Sequence, residues 1–239
     1  MKMNTRRHII KLSLVSGIAA STRVTHSVAQ DAESTPAAGE STRNGVFTNV
    51  LDQLPRADDG ELAAVAWGAD VERGTAYALI HNATDEEFIM RQGWGRALDA
   101  EGNIIAEVDK VEISTYSWES DSYGLFKVDF RINIEAVAEM EFEFPTVPLS
   151  EDSGELVNVR VVNYELVGVA SLSALVHNDA DFTLNFAPVL AVFFDDEMNI
   201  VAGAGNPAMQ VGPDSESRAQ LVISFGEPTD KWLFAAFGA

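Results

Sequence analysis

Short apolar runs, either alternating with polar residues or continuous, dominate the hydrophobic pattern from residue 61 onwards. Residues 127–134 alternate between Val, Phe or Ile on one face and polar residues on the other. Residues 189–194 are continuously apolar, which is typical of a strand buried on both faces. By the same criteria, strands are predicted at residues 75–81, 140–144 and 221–225. Because Gly, Asn and Asp clusters separate the runs and no segment keeps a helical period, the pattern predicts an all-β protein.

Two stretches of the chain repeat one another at a spacing of 96 residues. Residues 78–82 (ALIHN) correspond to 174–178 (ALVHN), and 99–106 (DAEGNIIA) correspond to 195–202 (DDEMNIVA). The first pair reads as a strand followed by a polar turn, because Asn and Asp side chains bond nearby backbone groups. The second pair lies between two apolar runs and predicts a hairpin turn. The repeat therefore predicts two copies of one supersecondary unit.

The spacing of the strands predicts that each copy is an immunoglobulin-like β-sandwich. We assign unit 1 to residues 61–148 and unit 2 to residues 154–239, with a linker at residues 147–154 (VPLSEDSG). Residues 45–60 form a lead-in segment whose apolar spacing predicts one or two helical turns. Residues 30–44 contain no large apolar residue and predict a disordered linker.

The first 29 residues have the three zones of a cleavable secretory signal. A basic region precedes a short apolar stretch, and small residues follow it. Ser27 and Ala29 occupy the two positions at which signal peptidase requires small residues, which predicts cleavage after Ala29. The apolar stretch is shorter than the roughly 20 residues that span a bilayer. We therefore expect no stable membrane anchor after cleavage.

Residues 5–11 (TRRHIIK) resemble the twin-arginine export motif, Ser/Thr-Arg-Arg-x-Phe-Leu-Lys. The Thr, the pair Arg6 and Arg7, and the Lys match that motif, whereas two isoleucines stand where Phe and Leu are usual. The resemblance implies a receptor-read address and export of a protein that is already folded. The alternative is an ordinary secretory signal with an incidental Arg-Arg pair. Either interpretation predicts a secreted or otherwise extracytoplasmic protein.

Composition restricts the possible chemistry. The chain contains no cysteine, which excludes disulfides, a lipid-anchored cysteine and thiolate metal sites. Removing residues 1–29 changes the formal charge from -21 to -26, because that segment holds five basic residues and no acid. A field of this sign repels nucleic acid and anionic lipid head groups, so we expect no nucleic-acid partner. It favours cations, cationic partners or solubility in salt.

The repeated units resemble FxLYD-type domains, which are β-sandwich modules of bacterial envelope proteins. Unit 2 matches at residues 177–178 (HN), 192–195 (VFFD), 199–201 (NIV) and 212–216 (GPDSE), and unit 1 at residues 81–84, 98–99 and 102–105. The family's leading Phe is Ala191 in one copy and Gly95 in the other. The resemblance implies a sandwich fold and an extracellular accessory role, and it transfers no catalytic residue.

The two histidines of the exported part, His81 and His177, occupy equivalent positions in the repeat. A histidine that closes a strand and bonds backbone explains this repetition; a metal site is the alternative. Residues 99–103 and 195–199 predict plain hairpin turns, with calcium binding through their oxygens as the alternative. No Gly-x-Ser-x-Gly elbow is present. We assign no catalytic residue, no cofactor and no metal ligand.

Two tryptophans are candidate binding residues, because the copies differ where they occur. Trp94 corresponds to Leu190 in the second copy, and Trp118 lies in the polar stretch 114–122. Aromatic residues in polar surroundings often mark a binding surface, and ordinary packing is the alternative.

The sequence as a whole predicts an exported, non-enzymatic binding or structural module of the cell envelope or extracellular space, with an unidentified extracellular partner. Two alternatives remain. One is an extracellular carbohydrate-active enzyme with a carboxylate pair that the sequence does not single out. The other is an acidic, cation-binding or salt-adapted structural protein.

Overall fold

The computed structural model describes residues 6–13, 39–41, 46–90, 93–109, 111–113, 117–148, 159–167 and 171–236. Within these residues the regular structure consists of β-strands and one 3-10 turn, Leu51–Gln53. Every strand pairing among them is antiparallel, in all three sheets. The predicted all-β class is confirmed.

In the described part of the chain, eighteen strands form three sheets. The strands up to residue 148 are β1 (Arg6–Ser13), β2 (Glu40–Ser41), β3 (Val46–Thr48), β4 (Leu62–Asp70), β5 (Thr75–Asn82), β6 (Phe88–Met90), β7 (Trp94–Leu98), β8 (Ile104–Val108), β9 (Glu112–Ile113), β10 (Ser117–Trp118), β11 (Ser122–Asp129) and β12 (Glu139–Pro148). The later strands are β13 (Val159–Leu166), β14 (Ser171–Asn178), β15 (Leu184–Phe194), β16 (Ile200–Val211), β17 (Ser215–Phe225) and β18 (Lys231–Ala236).

The six-stranded sheet has the order β10-β6-β12-β7-β8, and β1 pairs with β12 as its sixth strand. The four-stranded sheet has the order β4-β5-β11-β9. The eight-stranded sheet has the order β13-β14-β17-β16-β15-β18-β3-β2, so the short N-terminal strands β2 and β3 join the C-terminal part of the chain.

Three hydrophobic cores among the described residues hold these sheets together. The first core lies between the six-stranded and four-stranded sheets and contains Ala78, Phe126 and Phe142. The second core is enclosed by the eight-stranded sheet, whose β13 lies beside β18 and β3. The third core, which we call the shared core, joins the four-stranded sheet to the eight-stranded sheet and contains Leu79 and Val192. The two parts of the chain therefore pack directly against one another.

Strands β5 and β15 are buried on both faces because each separates two cores, and β11 and β18 do the same over most of their length. In β5, Ala78 and Ile80 face the first core while Leu79 faces the shared core. In β15, residues 189–194 send alternate side chains into the second core and the shared core. The prediction that residues 189–194 form a strand buried on both faces is thus confirmed, and the shared core is its physical reason.

The repeated segments occupy equivalent positions in the sheets. Asn82 at the end of β5 pairs with Leu62 of β4 and Ser122 of β11. In the same way, Asn178 at the end of β14 pairs with a residue of β13 and a residue of β17. The two outer strands β4 and β13 also carry a bulge at the same distance from these pairs. The strand trios β4-β5-β11 and β13-β14-β17 therefore share one pairing scheme.

The predicted hairpin turns are confirmed. The Asp99 N–H donates to the Asn103 carbonyl at 3.0 Å between β7 and β8, and the Asp195 N–H donates to the Asn199 carbonyl at 3.1 Å between β15 and β16. The residue before each Asn has a positive φ, which is 81° at Gly102 and 63° at Met198. A left-handed residue at this position suits the tight turn and costs Gly nothing sterically.

Some predicted boundaries need correction. The strand predicted over residues 127–134 runs as β11 over Ser122–Asp129. It ends there because the Phe130 N–H donates to the Gly74 carbonyl and Arg131 has a φ of 55°. Val128 and Phe130 are nonetheless buried, as the alternation predicts.

The lead-in segment 45–60 contains strand β3 before its 3-10 turn, where the sequence predicted helical turns alone. Of the predicted linker 30–44, the structure describes residues 39–41, and Glu40–Ser41 pairs with β3 instead of being irregular. The backbone of β3 offers hydrogen-bonding groups on the side away from β18, and β2 takes them. The cleavage position Ala29 and residues 149–158 lie outside the described residues.

Part of the predicted signal is described. Arg6 and Arg7 lie in β1, where they pair with Thr146 and Pro145 of β12. No helix in the described part of the chain is long and apolar enough to cross a bilayer.

Candidate functional site

A small surface pocket of about 200 Å³ lies where β5 ends and β11 begins. Its lining consists of Arg56, Ala57, Asp59, His81, Ala83, Ser120 and Asp121. It contains one of the two repeated histidines beside a carboxylate and a guanidinium, which are residue types that can carry catalysis. The geometry of its hydrogen bonds decides what these groups can do.

His81 is completely buried, and both of its ring nitrogens are engaged. Its Nδ1 accepts the Ala57 N–H at 3.0 Å, so the ring carries its proton on Nε2 and donates it to Asp121 Oδ1, also at 3.0 Å. The ring also packs against Tyr123, with 4.5 Å between ring centroids. Burial lowers the pKa of His81, and this keeps the imidazole neutral. The prediction that this histidine closes a strand and bonds backbone is confirmed.

Asp121 is shared between two partners. Its Oδ1 accepts from His81, and the Arg56 guanidinium forms an ion pair with the same oxygen. The carboxylate is largely exposed and belongs to a residue with a φ of 58°. Because His81 uses Nδ1 for a backbone bond, no ring nitrogen is left to accept a proton from a bound molecule. The cluster of Arg56, His81 and Asp121 therefore has a structural role, because it connects the segment at Arg56 to the turn before β11.

His177, the equivalent residue of the second copy, has different partners. Its Nε2 lies 3.1 Å from Asp179 Oδ1 and 3.6 Å from Asp214 Oδ1. Asp179 also pairs with Arg160, at 3.1 Å between Oδ2 and Nε. Within the described residues, no group of three or more His, Asp or Glu side chains is arranged to hold a metal ion.

The Asp99 carboxylate is used by its own turn. Its Oδ1 accepts the N–H of Asn103 at 2.7 Å and of Glu101 at 3.0 Å, and its Oδ2 accepts Nδ2 of Asn103 at 2.9 Å. These bonds lower the pKa of Asp99, with the Asn103 side chain as the largest cause. Asp195 and Asn199 repeat the arrangement. The recurring Asp and Asn are therefore accounted for by turn geometry, which favours the hairpin interpretation over calcium binding.

Trp94 lies on the outer face of the six-stranded sheet. The residues of β7 alternate in burial, and Ala97 faces the first core, so Trp94 and Arg96 point away from it. The Arg96 guanidinium lies 4.0 Å from the centroid of the Trp94 ring, and Arg96 Nε donates to Glu107 at 3.1 Å. A cation–π contact with Arg96 thus holds the Trp94 ring, which remains partly exposed.

Trp118 belongs to the same sheet. It lies in β10, where it pairs with Phe88 of β6, and its side chain is outside the described part of the structure. The structure therefore brings both predicted tryptophans into one sheet without defining a contact between their rings.

The acids of β12 form ion pairs with a basic residue of β1, which the sequence reasoning did not predict. Glu139 and Glu141 alternate with Met140 and Phe142, whose side chains are buried in the first core. Lys11 of β1 reaches both acids, with Nζ 2.9 Å from Glu139 and 2.5 Å from Glu141. The clean alternation of residues 140–144 predicted the strand, but nothing local could indicate that a segment near the N-terminus would pair with it.

The chain was compared with known proteins. No family model matches it, and no curated protein matches it. Among solved structures, a β-glucuronidase from glycoside hydrolase family 2 aligns with 75% of this chain at 13% sequence identity and a TM-score of 0.20. The chain covers 23% of the length of that enzyme. Similarity at this level of TM-score does not establish a shared fold or a shared activity.

Proposed function

We propose that this protein is exported by the twin-arginine route and acts outside the cytoplasm as a non-enzymatic binding module. The outer face of the six-stranded sheet, centred on Trp94, is its contact surface. One observation carries this proposal: Trp94 stays partly exposed under the Arg96 guanidinium, whereas Leu190 at the equivalent position is 2% exposed. A large aromatic ring held rigidly at a surface is suited to binding, because little side-chain entropy is lost when a partner covers it.

The candidate catalytic groups support a binding role. His81 has both ring nitrogens engaged, and the Asp99 carboxylate is bonded within its own turn. These groups stabilise the fold and would have to break several hydrogen bonds before they could exchange protons with a substrate. The FxLYD resemblance points in the same direction, towards an accessory role in the cell envelope.

Export in the folded state agrees with the cores of the protein. A chain without cysteine needs no oxidising compartment in order to fold, and three hydrophobic cores among the described residues hold its sheets together. The Arg6→Lys/Arg7→Lys variant should accumulate in the cytoplasm, while the matched Lys2→Arg variant should be exported normally. Cell fractionation with immunoblotting measures this, and normal export of the double variant would contradict the twin-arginine route.

Binding can be screened with the exported protein on an array of polysaccharides, peptidoglycan fragments and peptides. Trp94→Ala should lower the affinity for any probe that the parent protein captures at least tenfold. The control is Val222→Ala, which removes an exposed apolar side chain on β17, in the other sheet system. Equal binding by both variants and the parent chain would contradict the assignment of Trp94 to the contact surface.

A further inference from the structure

The last strand of each part of the chain is flanked on both sides, and the two outer flanking strands come from the N-terminal region. β18 pairs with β15 on one side and with β3 on the other. β12 pairs with β7 and β6 on one side and with β1 on the other, because Glu139–Glu143 pair with both β7 and β1. β1 therefore fills beside β12 the place that β3 fills beside β18.

Cleavage affects these two places differently. β3 follows the predicted cleavage position and remains beside β18, whereas β1 precedes it and is removed. This step rests on the proposed function, namely export, and on the cleavage after Ala29 that the sequence predicts. In the processed chain, the side of β12 that pairs with β1 over eight residues loses its partner strand. An edge of this length presents a row of backbone donors and acceptors to which another strand can add.

The side chains of β12 define what fits there. Met140 and Phe142 are completely buried on the inner face, and glutamates occupy the alternate positions on the outer face. In the full chain, Lys11 forms ion pairs with two of these glutamates, Glu139 and Glu141. A suitable strand therefore places apolar residues opposite Met140 and Phe142 and a basic residue opposite the glutamate between them. The segment Ile10-Lys11-Leu12 of β1 has this order in its pairing with β12. Opposite charges on neighbouring strands are favourable, and like charges are not.

Two other occupants fit poorly. The segment 30–44 that follows the cleavage position has three acids and one Arg and no large apolar residue, so it offers neither the charge nor the inward side chains. A second copy that paired β12 against β12 would place glutamates opposite glutamates. The remaining basic residues of the processed chain are few, and its formal charge is -26 without residues 1–29.

We propose that the outer edge of β12 is a strand-addition site, which the signal segment occupies in the precursor and a cationic, amphipathic strand of another polypeptide occupies after export. The acids select the partner by charge and prevent edge-to-edge pairing between copies. β1 keeps this edge covered until the protein has crossed the membrane.

The test uses the chain recovered from the extracytoplasmic fraction and the peptide TRRHIIKLSL, which reproduces residues 5–14. Mass spectrometry of the recovered chain first establishes its N-terminus. Isothermal titration and thermal unfolding then measure peptide binding by the processed chain and by the purified precursor. The processed chain should bind with a saturable heat and a raised Tm, and the precursor should bind at least tenfold more weakly because β1 occupies the edge.

Charge reversal makes the test specific. Glu139→Lys/Glu141→Lys should weaken binding of the peptide at least tenfold, and a peptide carrying Lys11→Glu should recover binding to that variant. Glu197→Lys/Glu227→Lys, which makes the same change of charge at exposed positions away from β12, should bind like the parent chain. Circular dichroism establishes that the variants are folded.

The outcomes separate the two proposals. An exported chain that keeps residues 1–29 would overturn processing and, with it, the opening of the edge. A correctly processed chain that does not bind the peptide, or binds it equally after charge reversal, would overturn the strand-addition site alone. A processed chain that dimerises in sedimentation and is dissociated by the peptide would show a second copy as the occupant and would overturn the partner assigned here.

Discussion

The two halves of this protein keep the same polar residues for the same purpose, yet they differ in the residues that cover their sheets. Asn82 and Asn178 are both completely buried and both hold a turn to a neighbouring loop through backbone carbonyls. Trp94 and Leu190 are also equivalent, but Trp94 is partly exposed and Leu190 lies in the shared core. Backbone groups need the same partners in both copies, whereas side chains change with what packs on the sheet.

The largest difference in stability that we expect between equivalent substitutions in the two halves is at Trp94 and Leu190. Leu190→Ala should lower the free energy of unfolding by about 3 kcal/mol, because it leaves a cavity in the shared core. Trp94→Ala should cost about 1 kcal/mol, because a partly exposed ring loses mainly its contact with Arg96. Urea unfolding of the two variants measures this. Equal losses would show that Trp94 is a packing residue and not a surface one.

The buried asparagines should behave alike. Nδ2 of Asn82 donates to the carbonyls of Glu86 and Glu119, at 3.1 and 2.9 Å. Nδ2 of Asn178 donates to the carbonyl of Phe182 at 2.9 Å and to that of Gly212 at 3.0 Å. Replacing either residue with Ala removes a completely buried side chain and the hydrogen bonds that it makes to the backbone of the turns, so each variant should lose about 2 kcal/mol of stability.

The control for this comparison is Asn206→Ala, which removes one exposed bond to the Gln220 carbonyl and should cost about 0.5 kcal/mol or less. Denaturant midpoints distinguish these values. A loss at Asn82 or Asn178 no larger than at Asn206 would contradict a shared structural role.

The smallest effect concerns pH. Burial lowers the pKa of His81, so protonation of this residue favours the unfolded chain. The contribution of neutral His81 to the free energy of unfolding is fully present above its pKa in the unfolded chain, which is about 6.5. This contribution is lost as the pH falls through the lower pKa of His81 in the folded protein. The denaturant midpoint of the parent chain should therefore drop between pH 7.5 and 5.5 more than that of His81→Gln. The variant His177→Gln retains His81, so the part of the drop in denaturant midpoint that His81 causes should remain in this variant.

Local chemistry made several elements predictable. Asp99 and Asn103 specify their hairpin within five residues, and the same pair recurs at Asp195 and Asn199. The continuous apolar run at residues 189–194 likewise indicates a doubly buried strand, although it does not say which surface covers each face. The candidate site could also be predicted only in part. The difference between Trp94 and Leu190 in the repeat indicated Trp94. The stacking of Arg96 on its ring could not be predicted, because it depends on which residues of β7 share a face in the assembled sheet.

The sequence by itself determined the all-β class, the repeated hairpins and the unusual acidity, because these depend on residues close together in the chain or on composition alone. Tertiary structure alone decided that the two halves share a core, that His81 is clasped between Ala57 and Asp121, and that β1 lies against the acids of β12. Each of these joins distant segments through faces and edges that become complementary only when the sheets are assembled. Of the three, the pairing of β1 with β12 bears most on the function we propose, because in that proposal the export signal covers the edge of β12 until it is removed.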